Sequence, residues 1–188
     1  AWHVWRKFGN LYRSSGRLAE AEGVYQRILD QKDPPDIKTQ LEFARLRFKQ
    51  KRFEDTIAWA ENVFRVKDPA FNALLLKAKS LYRQEFYDEA LKSFQKLTEA
   101  PTNSFALEGW LGSGRVYLKK GDPEKARKQF EKATDLQQNH RTLFWSARST
   151  RDFKDSFFSE VKQYCDGNAG RFVEWGQQFA EYDYRDLA

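Results

Sequence analysis

Residues 107–140 read LEGWLGSGRVYLKKGDPEKARKQFEKATDLQQNH, and the order of small, aromatic and turn residues in them decides the fold. Trp110, Gly114 and Tyr117 fall at offsets of four and three, which puts them on one face of a helix. Gly114 has no side chain, so a second helix can lie against the backbone there. Gly121 follows the last periodic residue and stops that helix. Asp122-Pro123-Glu124 then opens a new one. Asp caps, Pro suits the first turn, and Glu complements the helix dipole. Ala126, Phe130 and Ala133 make the inner stripe of the second helix, where small Ala126 permits close approach and Phe130 fills the space between the pair. The stretch therefore predicts two short amphipathic helices joined by one tight turn.

The same order recurs three times upstream. Over residues 2–35, Trp5, Phe8, Gly9 and Tyr12 are predicted on the inner face of a first helix. Gly16 marks the turn, and Ala21, Tyr25 and Ile28 line the second helix. Asp33-Pro34-Pro35 ends the unit, since Pro cannot continue a helix. Over 37–70, Phe43 and Ala44 take the places of Phe8 and Gly9, and Thr56 that of the small Ala. Phe53 opens the second helix. Ala60 stands where an aromatic is expected, with Trp59 and Phe64 supplying the missing volume from neighbouring positions. Asp68-Pro69 is the expected cap of the next helix. Over 71–106 the stripes are Leu74, Ala78 and Leu81, then Tyr87, Ala90, Phe94 and Leu97. Pro101 closes that unit and Ser104 is the expected cap of the fourth. The small residues at 21, 56, 90 and 126 are spaced by 35, 34 and 36, the strongest regularity in the chain.

The arrangement of Trp110, Gly114, Tyr117, Gly121, Ala126, Phe130 and Ala133 resembles the tetratricopeptide repeat, a helix–turn–helix unit of about 34 residues. Ser113 stands where that family has an apolar residue, and the closing Pro is absent from this unit. The resemblance implies an all-α fold, a right-handed superhelical α-solenoid in which the first helix of each unit lines a concave groove. It divides the chain into four repeats at about 2–35, 37–70, 71–106 and 107–140. Residues 141–188 are then expected to hold a degenerate fifth repeat and a C-terminal capping helix, because the last repeat of an array otherwise exposes an apolar face. Leu143, Phe144 and Ala147 start one helix, and Phe153, Phe157, Val161 and Tyr164 suggest another, ended near Gly167-Asn168-Ala169-Gly170. A final helix carries Phe172, Trp175, Phe179 and Tyr182 on one face.

Composition agrees. The 188 residues are 40% apolar and 16% aromatic, enough to bury a core, while a mean hydropathy of −0.83 suits thin two-helix layers with much surface. Charged residues make up 32%, with a net charge of +6, a modest bias toward an acidic partner. Cys165 is the single cysteine, so no internal disulfide is possible, which fits a reducing compartment and a cytoplasmic location. No apolar run has the length of a membrane span, and no signal-peptide pattern opens the chain. The absence of Met, with a start inside a helical pattern, reads as a segment of a longer or processed protein.

Aligning the units gives four rows on the groove side: Arg6, Leu41, Leu75, Leu111; Asn10, Arg45, Lys79, Arg115; Arg13, Phe48, Tyr82, Leu118; and Ser14, Lys49, Arg83, Lys119. Units two to four thus present apolar rows beside basic rows, a pattern that marks an interaction surface. The candidate peptide-binding groove is Leu41, Arg45, Phe48, Lys49, Leu75, Lys79, Tyr82, Arg83, Leu111, Arg115, Leu118 and Lys119. Its fitting ligand is a protein segment carrying acidic and apolar residues, with each Arg able to fork onto a carboxylate. A subset of the family clamps a C-terminal carboxylate. Arg6 and Asn10 match its first positions, but Glu42 stands where an amide is needed and would repel the ligand.

The alternative is a nucleic-acid-binding helical repeat, with Arg45, Lys79, Arg115 and Lys119 on phosphates and Phe48 and Tyr82 stacking on bases. The low charge, with Asp and Glu spread throughout, argues against it. An accessory domain of a larger signalling or assembly protein is compatible with either reading. His3 and His140 are far apart, Cys165 has no neighbouring His, and KKGDPEK lacks phosphate-loop spacing. The sequence therefore shows no catalytic, metal or cofactor constellation and predicts a non-enzyme. Residues 168–188 add Glu174, Glu181, Asp183 and Asp186 to the aromatic face. That segment is either an end cap or, docked into the groove of a second copy, the basis of a homo-oligomer.

Overall fold

Four turns of one geometry set the architecture. Gly16, Lys51, Glu85 and Gly121 all have positive φ, at +82°, +61°, +64° and +76°. Each ends a helix with the same two hydrogen bonds. The N–H of Gly16 donates to the Arg13 carbonyl and that of Arg17 to the Tyr12 carbonyl; Gly121 and Asp122 do the same to Leu118 and Tyr117. Two carbonyls left over at the helix end are thereby satisfied, which is the physical reason for a left-handed residue there.

The computed structural model describes residues 2–31, 36–66 and 70–138, with residues 142, 145, 146, 148 and 149. Among these, the chain forms eight helices and no strand: α1 Trp2–Ser14, α2 Leu18–Gln31, α3 Ile37–Lys49, α4 Phe53–Val66, α5 Phe71–Arg83, α6 Tyr87–Thr98, α7 Asn103–Lys119 and α8 Pro123–Leu136. Each helix packs on the next. The odd-numbered helices also touch in succession, α1 to α3, α3 to α5 and α5 to α7, whereas the even-numbered ones do not meet to the same extent. The odd helices are therefore crowded on one side of the stack and the even ones splayed on the other. This is an all-α helical-repeat solenoid, and the crowded side is its concave face.

The core follows the small residues. Ala21, Thr56, Ala90 and Ala126 are fully buried. A Cβ on Gly9 would lie 2.4 Å from the Tyr25 ring, and one on Gly114 would lie 2.3 Å from the Phe130 ring. Tyr25, Phe43 and Trp59 meet edge to face, with centroids 6.4 and 5.0 Å apart, so Trp59 does supply the aromatic volume missing at Ala60. Two further glycines, Gly109 and Gly112, let α7 lie directly on α6; a Cβ on Gly109 would be 2.7 Å from the Phe94 carbonyl.

Some local expectations change. Trp5 and Phe8 are not on the inner face of their pair; they are 42% and 48% exposed, because α2 meets α1 through Gly9 and Tyr12. Ser104 lies within α7, whose N-cap is Thr102. The N-cap of α5 is Ala70, with no side-chain bond, and the expected cap Asp68-Pro69 lies outside the described residues. Asp36 caps α3 by accepting from the Thr39 N–H at 3.2 Å and its hydroxyl at 2.8 Å. Asp122 caps α8 as expected, accepting from the Lys125 N–H at 3.0 Å, with Pro123 in the first turn. The expectations at 33–35, at 140, and for the helices, Cys165 and glycine break beyond 150 also lie outside the described residues.

Candidate functional site

On the concave face the aligned rows converge where the last turns of α3 and α5 meet the middle of α7. A hollow of about 270 Å³ lies there, with walls that include Phe48, Lys79, Tyr82, Arg83, Leu111 and Arg115. Six of the twelve sequence-predicted groove residues are thus brought together. Phe94 and Gly112 complete the floor, and Glu108 and Trp145 the rim. Phe48 and Tyr82 are held edge-on by Phe53 and Tyr87, the first aromatic of each following helix. The Arg115 guanidinium lies between two rings, 4.8 Å from the Tyr82 centroid and 4.9 Å from that of Trp145. A planar cation stacked this way is fixed in place by ring quadrupoles and dispersion.

The other six are placed differently. Leu41 packs on Ala60, Val63, Ala70 and Ala73, and Leu75 packs on the cluster around Ala78 and Leu81. Leu118 rests on the α7–α8 cluster. Leu111, although it borders the hollow, is 2% exposed and belongs to that same core, which removes it from any open apolar row. Lys49 donates to the Arg13 carbonyl at 2.7 Å. Lys119 is exposed.

Sequence reasoning missed the ion pairs of this face: it placed Glu42 there only as an acid that repels a ligand, and did not single out Glu108. Glu42 takes Arg13 on one oxygen at 3.0 Å and Arg45 on the other at 2.8 Å, and Arg45 reaches on to the Asn72 side-chain oxygen at 3.1 Å. Lys79 pairs with Glu108 at 2.9 Å. Arg6 pairs with Asp36, and Asn10 accepts the Tyr25 hydroxyl at 2.5 Å. Arg6, Arg13 and Lys79 are therefore neutralised by acids of the neighbouring pair, and Arg45 by Glu42 of its own helix, in a polar seam running from α1 to α7. Lys49, Arg83 and Lys119 are the groove cations that are exposed and have no carboxylate partner among the described residues, Lys49 being bonded to the Arg13 carbonyl. The seam had a legible signal: Arg13 to Glu42 and Lys79 to Glu108 are both separated by 29 residues.

A larger hollow, about 630 Å³, lies away from these rows between α4, α5 and α6. Phe64, Phe71 and Leu74 line it beside Lys92 and Lys96, and the pair of Lys77 with Glu61 at 2.7 Å stands at its edge. No group of three or more His, Cys, Asp or Glu positioned to hold a metal occurs among the described residues, and no helix among them is long and apolar enough to cross a membrane.

Two family models described as tetratricopeptide repeat match the chain, one at residues 41–104 and 75–141, the other at 6–38. No curated protein matches by sequence. Among solved structures, MamA superposes with a TM-score of 0.68 at 17% identity, over 93% of this chain and 97% of its own. TTC0263, a thermophilic TPR protein of Thermus thermophilus, gives 0.70 at 15% identity, over 96% of this chain and 100% of its own. The apo form of RapI gives 0.74 at 13% identity, over 88% and 70%. At such identities these structures speak for the fold. The family models cover well over half of the sequence, and the repeat spacing, the four helix-stop turns and the paired helices all agree with them: the chain belongs to the tetratricopeptide-repeat family, whose members serve as protein–protein interaction scaffolds.

Proposed function

We propose that the concave face captures a segment of a partner protein by seating one aromatic or large aliphatic side chain in the hollow beside Phe48 and Tyr82, with an adjacent carboxylate on Arg83. The observation that supports this reading is the convergence there of two aromatic rings and an exposed cation from successive first helices. A segment with one acid next to one apolar residue fits better than a strongly acidic one, because Lys79 and Arg45 are already engaged. The engagement of Arg45 and Lys79 by carboxylates weighs against nucleic acid, whose affinity comes from cations free to replace counterions.

Fluorescence anisotropy with labelled peptides that pair a Trp or Leu with a neighbouring Asp or Glu tests the reading. Binding should weaken about 5–10-fold in Arg83→Glu, in line with the loss of a charge-assisted contact, and similarly in Tyr82→Ala. Equal affinity for wild type and both variants would remove the hollow as the binding site.

A further inference from the structure

The larger hollow, between α4, α5 and α6, exists because its junction in the stack lacks the rings that fill the preceding one. Aligning the units on Ala44, Ala78 and Gly114, and on Thr56, Ala90 and Ala126, makes Lys77 and Ser93 the counterparts of Phe43 and Trp59. Where α3 and α4 meet α2, Phe43 and Trp59 lie edge to face, 5.0 Å between centroids, and both pack with Tyr25 and Leu29. Phe43 is 1% exposed there. Where α7 and α8 meet α6, the counterparts are Ser113 and Gln129, and Gly109 closes the space by letting α7 lie directly on α6. Ser113 is 0% exposed. The middle junction has neither device. Ala73 stands in the place of Gly109, Lys77 and Ser93 line the space, and about 630 Å³ stays open. The Lys77 side chain is 29% exposed.

The preceding junction shows what fits such a space. A two-ring group placed where Trp59 sits one unit earlier meets Phe64, Phe71 and Leu74, the apolar part of the wall. The volume is that of a small-molecule pocket rather than of a helix-binding surface. Charge sets the rest of the ligand. The Ser93 hydroxyl donates to the Glu89 carbonyl at 2.9 Å, and Lys77 is held by Glu61 at 2.7 Å, so both are already engaged. Lys92 and Lys96, one turn apart on α6, line the same hollow. Both are exposed and have no carboxylate partner among the described residues, and Asp88, one turn before Lys92, is paired with Lys120. Glu99 also borders the hollow, but at the end of α6, beyond Lys96. We propose that this hollow binds a small aromatic acid, its two-ring body on Phe64, Phe71 and Leu74 and its carboxylate on Lys92 and Lys96. The site lies on the splayed side of the stack and does not depend on capture of a partner segment by the concave face.

Titration calorimetry of the full chain with naphthaleneacetate tests this. The acid should bind saturably, with a Kd on the order of 0.1 mM for a ligand of its size. Its uncharged amide should bind about 5–10-fold more weakly, for want of a charge-assisted contact. Lys92→Glu and Lys96→Glu should each weaken the acid by about that factor and leave the amide unchanged. Ser93→Trp, which restores the ring present at Trp59, should abolish binding of both with helical circular dichroism intact. If that variant loses helix signal, the two lysine variants decide alone. No saturable heat, an amide that binds as tightly as the acid, lysine variants that bind like wild type, or a folded Ser93→Trp that still binds overturns the proposal. Arg83→Glu should leave the affinity unchanged. A loss there, with none in Lys96→Glu, would put the acid in the concave hollow and overturn the proposal as well.

Discussion

The Lys79 ammonium lies 2.9 Å from a carboxylate oxygen of Glu108, joining α5 to α7 across the wall of the concave hollow. Glu108 is the more sheltered partner, at 18% side-chain exposure against 37% for the lysine. The pair contributes little to stability, because partly exposed ion pairs are screened and their side chains lose freedom; about 0.5 kcal/mol is the expected scale. Its larger effect is on the ligand. A peptide carboxylate entering the hollow meets a lysine already satisfied and an acid that repels it. Glu108→Gln keeps the shape and releases Lys79. Affinity for peptides pairing an acid with an aromatic should rise about 2–5-fold, the equivalent of the screened pair energy. A fall in affinity, measured by the same anisotropy titration, would mean that Glu108 itself contacts the ligand.

Two glycines should respond oppositely to the same substitution. Gly23 lies within α2, exposed, with nothing within 4 Å of where a Cβ would stand. Gly23→Ala should stabilise by about 0.5–1 kcal/mol through the lower entropy of the unfolded chain. Gly109 is buried in α7, and its Cβ would stand 2.7 Å from the Phe94 carbonyl oxygen and 2.8 Å from the Thr98 nitrogen. Both are backbone atoms of α6 and can give way only if the helices part. Gly109→Ala should destabilise by about 1–3 kcal/mol, the scale of overpacking. Urea midpoints of both variants against wild type give the two signs directly.

The fold was legible because its determinants are local. Spacings of 35, 34 and 36 between small residues and the positive-φ turns at 16 and 121 survive any uncertainty about distant contacts. The hollow was half legible. Phe48, Tyr82, Arg83 and Arg115 converge because equivalent positions of equivalent helices must line up in a stack. The seam of Glu42 and Glu108 was not read: Glu42 reads only as an acid that would repel a ligand carboxylate, and Glu108 looks like an ordinary surface acid until the rotation of neighbouring helices brings each beside a base 29 residues earlier. Trp5 and Phe8 were misplaced for a related reason. A helical stripe shows that a face is apolar, not whether the helix across from it is its own partner or one from an adjacent pair.

Glu22 and Arg47 make the stack sensitive to acid. Arg47 of α3 is almost entirely buried and donates to one Glu22 oxygen at 2.8 Å, while Gln50 donates to the other at 2.8 Å. Hydrogen bonding by Arg47, and then by Gln50, holds the Glu22 carboxyl below the ordinary glutamate value of 4.5, against a smaller opposing effect of burial. A carboxylate depressed on folding adds stability that is fully present above its unfolded pKa and is lost as pH falls through the folded one. The α2–α3 contact should therefore weaken below about pH 4.5, by no more than about 1 kcal/mol given solvent access to the glutamate. Glu22→Gln should lower stability at pH 7 and flatten its decline below about pH 4.5. An unchanged acid slope in thermal melts of that variant would assign the acid sensitivity to other carboxylates.

The four helix-stop turns supply an internal comparison. Gly16 and Gly121 adopt left-handed backbone at no steric cost, whereas Lys51 and Glu85 adopt it at +61° and +64° with a Cβ crowding the carbonyl. The hydrogen bonds that hold the latter two are as good as those of the glycine turns: Arg52 to the Arg47 carbonyl is 2.9 Å and Phe86 to the Leu81 carbonyl is 3.0 Å, against 2.8 Å for Arg17 to Tyr12. The strain is therefore not relieved by loosening the turn, and the surrounding stack must hold it. Glu85 is exposed, so removing its side chain opens no cavity. Glu85→Gly trades that strain, about 1–2 kcal/mol, for the extra chain entropy of glycine, about 0.5–1 kcal/mol. The net expectation is a gain of about 0.5–1 kcal/mol, with Lys51→Gly behaving alike and Gly121→Ala losing about as much. If Glu85→Gly instead lowers the urea midpoint, the side chain at this turn holds the α5–α6 corner by a contact stronger than the strain it brings.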